Sequence, residues 1–330
     1  MKKLIALIVA AACALALFGC NPPKEDAVSV KYYNQASDML PAMKNGQLTV
    51  GLLPEPAATK ITKMNAAVSM KIDVQQVYGG DYPQAVLVAK KGLLESDSAF
   101  LSALMDALDD NAEWIVANDE NAASAVDSVN SRLAEGVTPS LDKTSIDKTV
   151  VENCNIYLQR AAEAKTSVNE YLAAMRGVDE DSATALADGF FVSLPAATTE
   201  DPAGNYRVAM PDGAPALAMA KLIAEGENFG RTVEYAVVAS ANIGAEVVQE
   251  RADVAVLPVT AASKTIGSGE KYVMLGVVTH GNLYVMSSED ISSLADLRGK
   301  VVGVIGQGQV PDLTFRYLLR KNGVEYTVAE

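Results

Sequence analysis

Residues 49–60 (TVGLLPEPAATK) and 253–264 (DVAVLPVTAASK) are two copies of one pattern. Val254, Leu257, Pro258, Ala261, Ala262 and Lys264 match Val50, Leu53, Pro54, Ala57, Ala58 and Lys60. Each copy reads as an apolar strand, a Leu-Pro corner and an alanine-rich helix start, so the chain builds one kind of unit twice. The likeness runs upstream without gaps. VEYAVVAS from Val233 aligns with SVKYYNQA from Ser29, and ANIGAEVVQERA aligns with SDMLPAMKNGQL.

One further element decides the expected architecture. Ahead of Val233 lies YRVAMPDGAPALAMAKLIAEG, a strand, a Gly/Pro turn and an amphipathic helix. Nothing comparable precedes Ser29, but GKVVGVIGQGQVPDLTFRYLLRKNG, from Gly299, has that make-up, followed by VEYTV. Tyr206–Lys264 therefore reads as a complete lobe core, and the second lobe as split between 299–330 and 28–60. This order implies a circular permutation of a two-lobed α/β protein, which a fold tolerates when its old ends lie close together.

The expected divisions follow. They are a signal peptide at 1–19, a tether at 20–27, the second-lobe remainder at 28–80 and a return to the first lobe at 81–176. An acidic, Thr/Ala/Pro-containing linker at 177–205 would join the old termini, ahead of first-lobe core at 206–298 and the second lobe's first strand and helix at 299–330. Ser96–Asn118 is expected as helix, with Phe100, Leu101, Leu104, Leu108 and Ile115 on one face, and Leu141–Arg176 as two helices. Alternating strands and helices imply mostly parallel sheets.

The N-terminus is a separate object. Lys2 and Lys3 precede an apolar run from Leu4 to Phe18, a secretory-signal pattern shorter than the roughly 20 residues of a membrane span. Leu17-Phe18-Gly19-Cys20 looks like a bacterial lipobox, which would place lipid on Cys20 and the protein outside the cell membrane. An ordinary cleaved signal or an N-terminal anchor is the alternative. With Cys13 in the signal and Cys20 lipidated, Cys154 stands alone, without a disulfide partner or a paired-cysteine zinc motif. A formal charge of -14 disfavours nucleic acid as a partner.

Enzyme chemistry finds few residues to work with. His280 is the one histidine of the chain, there is no G-x-S-x-G or H-E-x-x-H, and no metal or cofactor motif appears. Glu55 reads as a buried base, a ligand acceptor or an exposed helix-start carboxylate. The turn Gly306–Asp312 opens a helix but has Pro311 in place of the third dinucleotide-binding glycine and lacks the P-loop Lys-Ser/Thr. Its free N–H groups still suit a small anion. Comparable turns at 211–215, 240–242, 257–260, 35–37 and 53–56 would share the sheet edges where α/β proteins bind ligands.

MPDGAPALAMAKL, LADLRGKVVGVIGQGQVPDLTFRYLL, GLLPEPAATK and YPQAVLVAKK resemble the substrate-binding lipoproteins of ABC importers, in the nitrate/sulfonate/taurine and thiamine-precursor-like branch. The resemblance implies an α/β, two-lobed periplasmic-binding-protein type II fold with a ligand cleft between the lobes, here in permuted order. It implies no catalysis and no cofactor, a monomer, a small polar or anionic solute captured by hinge closure, and a membrane permease with a cytoplasmic ATPase as partner. Binding residues carried over by position are Asp212, Gly213, Ala214, Ser240, Pro258, Thr260, Asn282, Gly308, Gln309, Asp312, Glu55 and Gln84, with His280 and Tyr284 near the cleft. Lys60 and Lys264 are expected to face solvent, which favours a weakly charged or uncharged solute. The alternatives are a same-fold pyrimidine-precursor synthase-like enzyme and a sensor without a transporter.

Overall fold

The computed structural model describes residues 26–198 and 204–328. The signal, Cys13, Cys20 and residues 20–25 of the tether lie outside the described residues. Twelve strands among the described residues form two six-stranded sheets. One holds β1 (Val28–Tyr33), β2 (Val50–Pro54), β3 (Ser69–Asp73), β10 (Leu283–Ser287), β11 (Val301–Ile305) and β12 (Tyr326–Val328), in the order β12-β1-β11-β2-β10-β3. The other holds β4 (Pro83–Lys90), β5 (Ile156–Arg160), β6 (Asn205–Pro211), β7 (Thr232–Val238), β8 (Val254–Pro258) and β9 (Tyr272–His280), in the order β5-β9-β4-β8-β6-β7.

The two sheets share one plan. β7-β6-β8 are parallel and β4 joins them antiparallel; β1-β11-β2 are parallel and β10 joins them antiparallel. The repeat seen in the sequence occupies equivalent places, β8 with helix Val259–Thr265 and β2 with helix Ala57–Met64. This is the α/β, two-lobed plan of the periplasmic-binding-protein type II fold. The sheets are mixed rather than mostly parallel, because β4 and β10 each leave one lobe to complete the sheet of the other. For the same reason the first-lobe strands of 206–298 end at His280, and β10 belongs to the second sheet.

Local chemistry breaks two expected helices. Ser96–Asn118 divides into Ser98–Asp109 and Asn111–Val116, with Asp97 capping the first through the Phe100 N–H at 3.2 Å. The break falls at Asp110, where the buried Asn111 turns inward, its side chain donating to the Leu217 carbonyl at 3.0 Å and accepting from the Lys221 N–H at 2.9 Å. Ile156–Leu158, expected in a helix, lies instead in edge strand β5 against β9. A helix follows at Ala161–Val178 and buries Ala161, Ala164, Val168, Tyr171, Leu172 and Met175.

That helix locks the lobes together behind the crossing. It packs on helix Val310–Lys321 of the second lobe, with 2.8 Å between Tyr171 Oη and Thr314 Oγ1, and the Tyr171 ring stacks on Tyr82 at 5.6 Å. One apolar cluster accordingly contains Val50, Leu52 and Val302 of one lobe with Val86, Leu257 and Met274 of the other. The 177–205 segment, expected mostly as linker, is docked over its described part. Phe190 is fully buried, Thr184 N–H donates to Ser263 Oγ at 3.2 Å, and Thr198 N–H donates to Ser98 Oγ at 2.9 Å.

Candidate functional site

In the first lobe the C-terminal ends of β6, β7 and β8 share an edge with the start of β4, since Ala85 lies opposite Pro258. In the second lobe β11, β1 and β2 end beside the start of β10, since Leu283 lies opposite Pro54. The chain crosses between the lobes through Gly79–Tyr82 and through Gly281–Asn282. The two crossings are bonded, with Pro83 opposite His280 and the Gly281 N–H donating to the Tyr82 carbonyl at 2.9 Å. A Cβ on Gly281 would stand 2.4 Å from the Tyr82 ring, so only glycine fits this close approach.

Gln75 holds the crossing in register. Its Nε2 donates to the Leu283 carbonyl at 3.1 Å, and its Oε1 accepts from the Leu283 N–H at 2.9 Å and from Tyr82 Oη at 3.2 Å. Tyr284 Oη donates to the Asn153 carbonyl at 3.2 Å, joining β10 to the first-lobe segment that precedes β5. Lys63 reaches from the second lobe to the Thr144 carbonyl of the first.

Glu55 stands where β2 meets its helix, and the bland expectation of an exposed helix-start carboxylate fails. The side chain is 1% exposed, accepts from Thr59 N–H at 2.9 Å and from Thr59 Oγ1 at 2.8 Å, and has the Asn153 side chain as a further donor. Burial pushes its pKa above the usual carboxylate range against those hydrogen bonds. Its N–H donates to the Asn282 carbonyl at 3.0 Å. Burial, then the nearby Glu55, hold the Cys154 thiol well above the ordinary thiol range, which leaves it a poor nucleophile.

The residues proposed from sequence separate into distinct places. Glu55 and Asn282 meet at one crossing, and Gln84 and Pro258 flank the other. Asp212, half-buried at the end of β6, accepts from the N–H groups of Ser140 at 2.7 Å and Gly213 at 2.9 Å. Burial raises its pKa, opposed by these donors and by the charge of Lys60 across the cleft. Lys60 is therefore half-buried and faces Asp212 and Asp142, not open solvent as expected; Lys264 is exposed. Gly213 takes φ 103°, a left-handed conformation that keeps its N–H on Asp212. Ala214 and Thr260 are buried, and Ser240 is exposed.

Asp312 has an internal task. It is fully buried and accepts two bonds from Arg316 at 2.9 Å, one from Tyr32 Oη at 2.9 Å and one from the Gly308 N–H at 2.8 Å. Those four donors fill its carboxylate, and the exposed Gly308 and half-buried Gln309 belong to the same knot. His280 is buried, stacked on Tyr157 with ring centroids 3.7 Å apart, and burial lowers its pKa to about 4 while Asp81 opposes the shift. The ring is neutral at pH 7.

Thr279 escaped the sequence reading, since a threonine inside an apolar strand carries no distinguishing signal. Its buried hydroxyl has no hydrogen-bond partner, as is true of Gln84 Oε1, Asn282 Oδ1 and both His280 nitrogens. A small cavity of about 10 Å³, lined by Leu108, Asn111, Ile156, Tyr157, Leu158, Ala218 and Val278, lies within the first lobe, room for about one water. Among the described residues there is no group of three or more metal-ligating side chains and no helix long and apolar enough to cross a membrane.

Residues 232–329 match the family model described as NMT1/THI5 like. No curated protein matches the chain. Among solved structures, a phosphate-binding protein of a phosphate ABC transporter from Streptococcus pneumoniae is similar at 13% identity and TM-score 0.33, covering 86% of this chain and 88% of that one. A substrate-binding protein from Microbacterium hydrocarbonoxydans, complexed with 4-hydroxybenzoate hydrazide, is similar at 13% identity and TM-score 0.29, covering 82% and 56%. NikA from Brucella suis, in complex with Fe(III)-EDTA, is similar at 11% identity and TM-score 0.26, covering 84% and 60%.

Proposed function

We propose that the protein is an extracytoplasmic solute-binding receptor of an ABC import system, which closes its two lobes on a small polar solute and delivers it to a membrane permease. The observation that carries this reading is the pair of sheet edges meeting at a double crossing, with buried polar side chains gathered there. Ligands of open α/β sheets bind at such edges, and two short connections are the usual hinge of a closing cleft. The match of residues 232–329 to the NMT1/THI5-like model supports it. Of the residues proposed from sequence, Glu55, Gln84, Asp212, Pro258 and Asn282 are the favoured contacts. Lipid on Cys20 would hold the receptor at the outer membrane face, and the chain order is that of a permuted ancestor.

A thermal-shift screen of the full chain against nitrate, sulfonates, amino acids and pyrimidines tests the reading. A true solute at 100 times its dissociation constant adds about 2.7 kcal/mol to stability. One class of compound raising the midpoint without being converted is the expected outcome. Turnover of the stabilising compound would replace the receptor with an enzyme.

A further inference from the structure

Away from the helix pair that locks the lobes behind the crossing, second-lobe side chains reach the first lobe along one stretch, residues 142–155. Lys63 donates to the Thr144 carbonyl, Glu55 takes the Asn153 side chain as a donor, and Tyr284 Oη donates to the Asn153 carbonyl at 3.2 Å. Helix Ala57–Met64, which carries Lys60 and Lys63, packs on the short helical turn Lys143–Ser145. The far end of the stretch is tied to the crossing, where Asn155 Nδ2 donates to the Gly281 carbonyl at 3.2 Å and to Asp81 Oδ1 at 2.8 Å. The stretch belongs to the first lobe, because Leu141, Ile146, Val150, Val151 and Cys154 are buried in that lobe's apolar cluster.

The charges at this contact are complementary. Bonds from the Thr144 hydroxyl and N–H lower the Asp142 pKa, and the charges of Lys60 and Lys63 lower it further. Burial raises the pKa of Asp212, and Lys60 opposes that shift from the other lobe. The cations of the stretch itself are turned elsewhere, Lys143 onto Asp127 at 2.5 Å and Lys148 onto Glu152 at 3.7 Å, which leaves Asp142 to the lysines of the second lobe. Lys63 lies about 9 Å of helical rise beyond Ala57, at the end of its helix away from the crossing. A contact set that far from a hinge must part when the lobes separate, whereas the bonds of Asn155 need not. We infer that residues 142–155 form an interlobe latch, fastened by Lys60 and Lys63, which holds the cleft shut before any solute arrives. Exposed charge contacts are individually weak, so the two lysines together raise the closed-to-open ratio by roughly threefold to tenfold and still let the cleft open.

Single-molecule energy transfer tests the latch, with dyes on the exposed Ala67 of the second lobe and Glu135 of the first reporting the closed-to-open ratio of the full chain without solute. The wild-type chain at low salt is expected to be mainly closed. Lys60→Gln with Lys63→Gln should lower the ratio by about threefold or more, and Lys60→Arg with Lys63→Arg, which keeps both charges, should hold it. Raising sodium chloride from about 0.02 to about 0.5 M should bring the wild-type ratio toward that of the glutamine pair and leave the pair nearly unchanged. Lys143→Gln removes a charge that faces Asp127 and should change nothing. A wild-type chain that is mainly open, a glutamine pair within about twofold of wild type, or an equal fall in Lys143→Gln overturns the latch. If the glutamine pair does not fold, the wild-type salt series decides, and a ratio that salt leaves unchanged overturns the latch. No solute enters the measurement, so a chain that binds nothing in a ligand screen loses the receptor reading while the latch stands or falls by itself.

Discussion

The strand-to-helix turns after β6 and β11 hold corresponding places in the two lobes, and each carries a buried or half-buried aspartate. Asp312 of the second lobe is closed upon itself, with Arg316, Tyr32 and Gly308 filling both oxygens. Asp212 of the first lobe is held by uncharged donors of Ser140 and Gly213, and the charge that acts on it, Lys60, comes from the opposite lobe. The Leu-Pro corners differ in the other sense. The second-lobe corner carries the buried Glu55, whereas the first-lobe corner places Val259 in the corresponding stretch. Each copy of the scaffold therefore carries one acid that no Arg or Lys of its own lobe pairs among the described residues, Asp212 after β6 and Glu55 after β2, and the shared geometry does not say which turn carries it.

The sharpest test of this contrast is truncation of both aspartates. Asp312→Ala leaves the guanidinium of Arg316, whose side chain is 12% exposed, with only the longer Asp179 contact at 3.8 Å as an acidic partner, and should cost about 3 kcal/mol in urea unfolding. Asp212→Ala removes two backbone hydrogen bonds and should cost about 1–2 kcal/mol. Equal losses would mean that Asp212 is as structural as Asp312, and the contrast would collapse.

Acid titration gives the next effect. Burial holds His280 neutral by lowering its pKa to about 4 from the ordinary histidine value of 6.5. Its folded pKa is depressed, so the stability it contributes is present above pH 6.5 and lost as pH falls through about 4. The whole shift corresponds to about 3 kcal/mol. His280→Phe, which keeps an aromatic ring for Tyr157 to stack on, should flatten the wild-type loss of urea stability between pH 7 and pH 4. An unchanged profile would place the acid sensitivity in other groups.

Glu55 has the opposite sign and a smaller effect. Its folded pKa is raised, so its favourable contribution is complete below the ordinary glutamate range and is lost as pH rises through the folded value. Ligand-free Glu55→Gln should be the more stable protein at pH 7, with the gap closing toward pH 4. A Glu55→Gln variant that is less stable at every pH would make this carboxylate a helix cap of the ordinary kind, comparable in role to Asp312.

Much of the fold was legible because short-range patterns encode it. The LLPEPAATK and VLPVTAASK segments placed β2, β8 and their helices, and the strand at Val301 and helix to Lys321 were readable from alternation and from Pro311 at the helix start. The candidate site was legible in part: Glu55, Asn282 and Gln84 stand at the crossings, while Asp312 looked like a ligand contact although Arg316, four residues on in a readable helix, was there to pair it, and Tyr32, which completes the knot, lies 280 positions away. Thr279 and Gln75 were invisible, being ordinary residues in ordinary elements. Helix Ser96–Asn118 was read as continuous since the sequence does not reveal that Asn111 bonds Leu217 and Lys221, which lie far away along the chain.

The sequence by itself determined that the chain is α/β and builds two similar lobes, because periodicity and turn chemistry act over a few residues. Tertiary structure decided that the sheets are mixed, since β4 and β10 each cross from the lobe of the strand before them and pair antiparallel in the other. It also decided which acids are engaged and which polar atoms stand unpaired. Burial and pairing arise from residues brought together across hundreds of positions, and no local pattern carries that information.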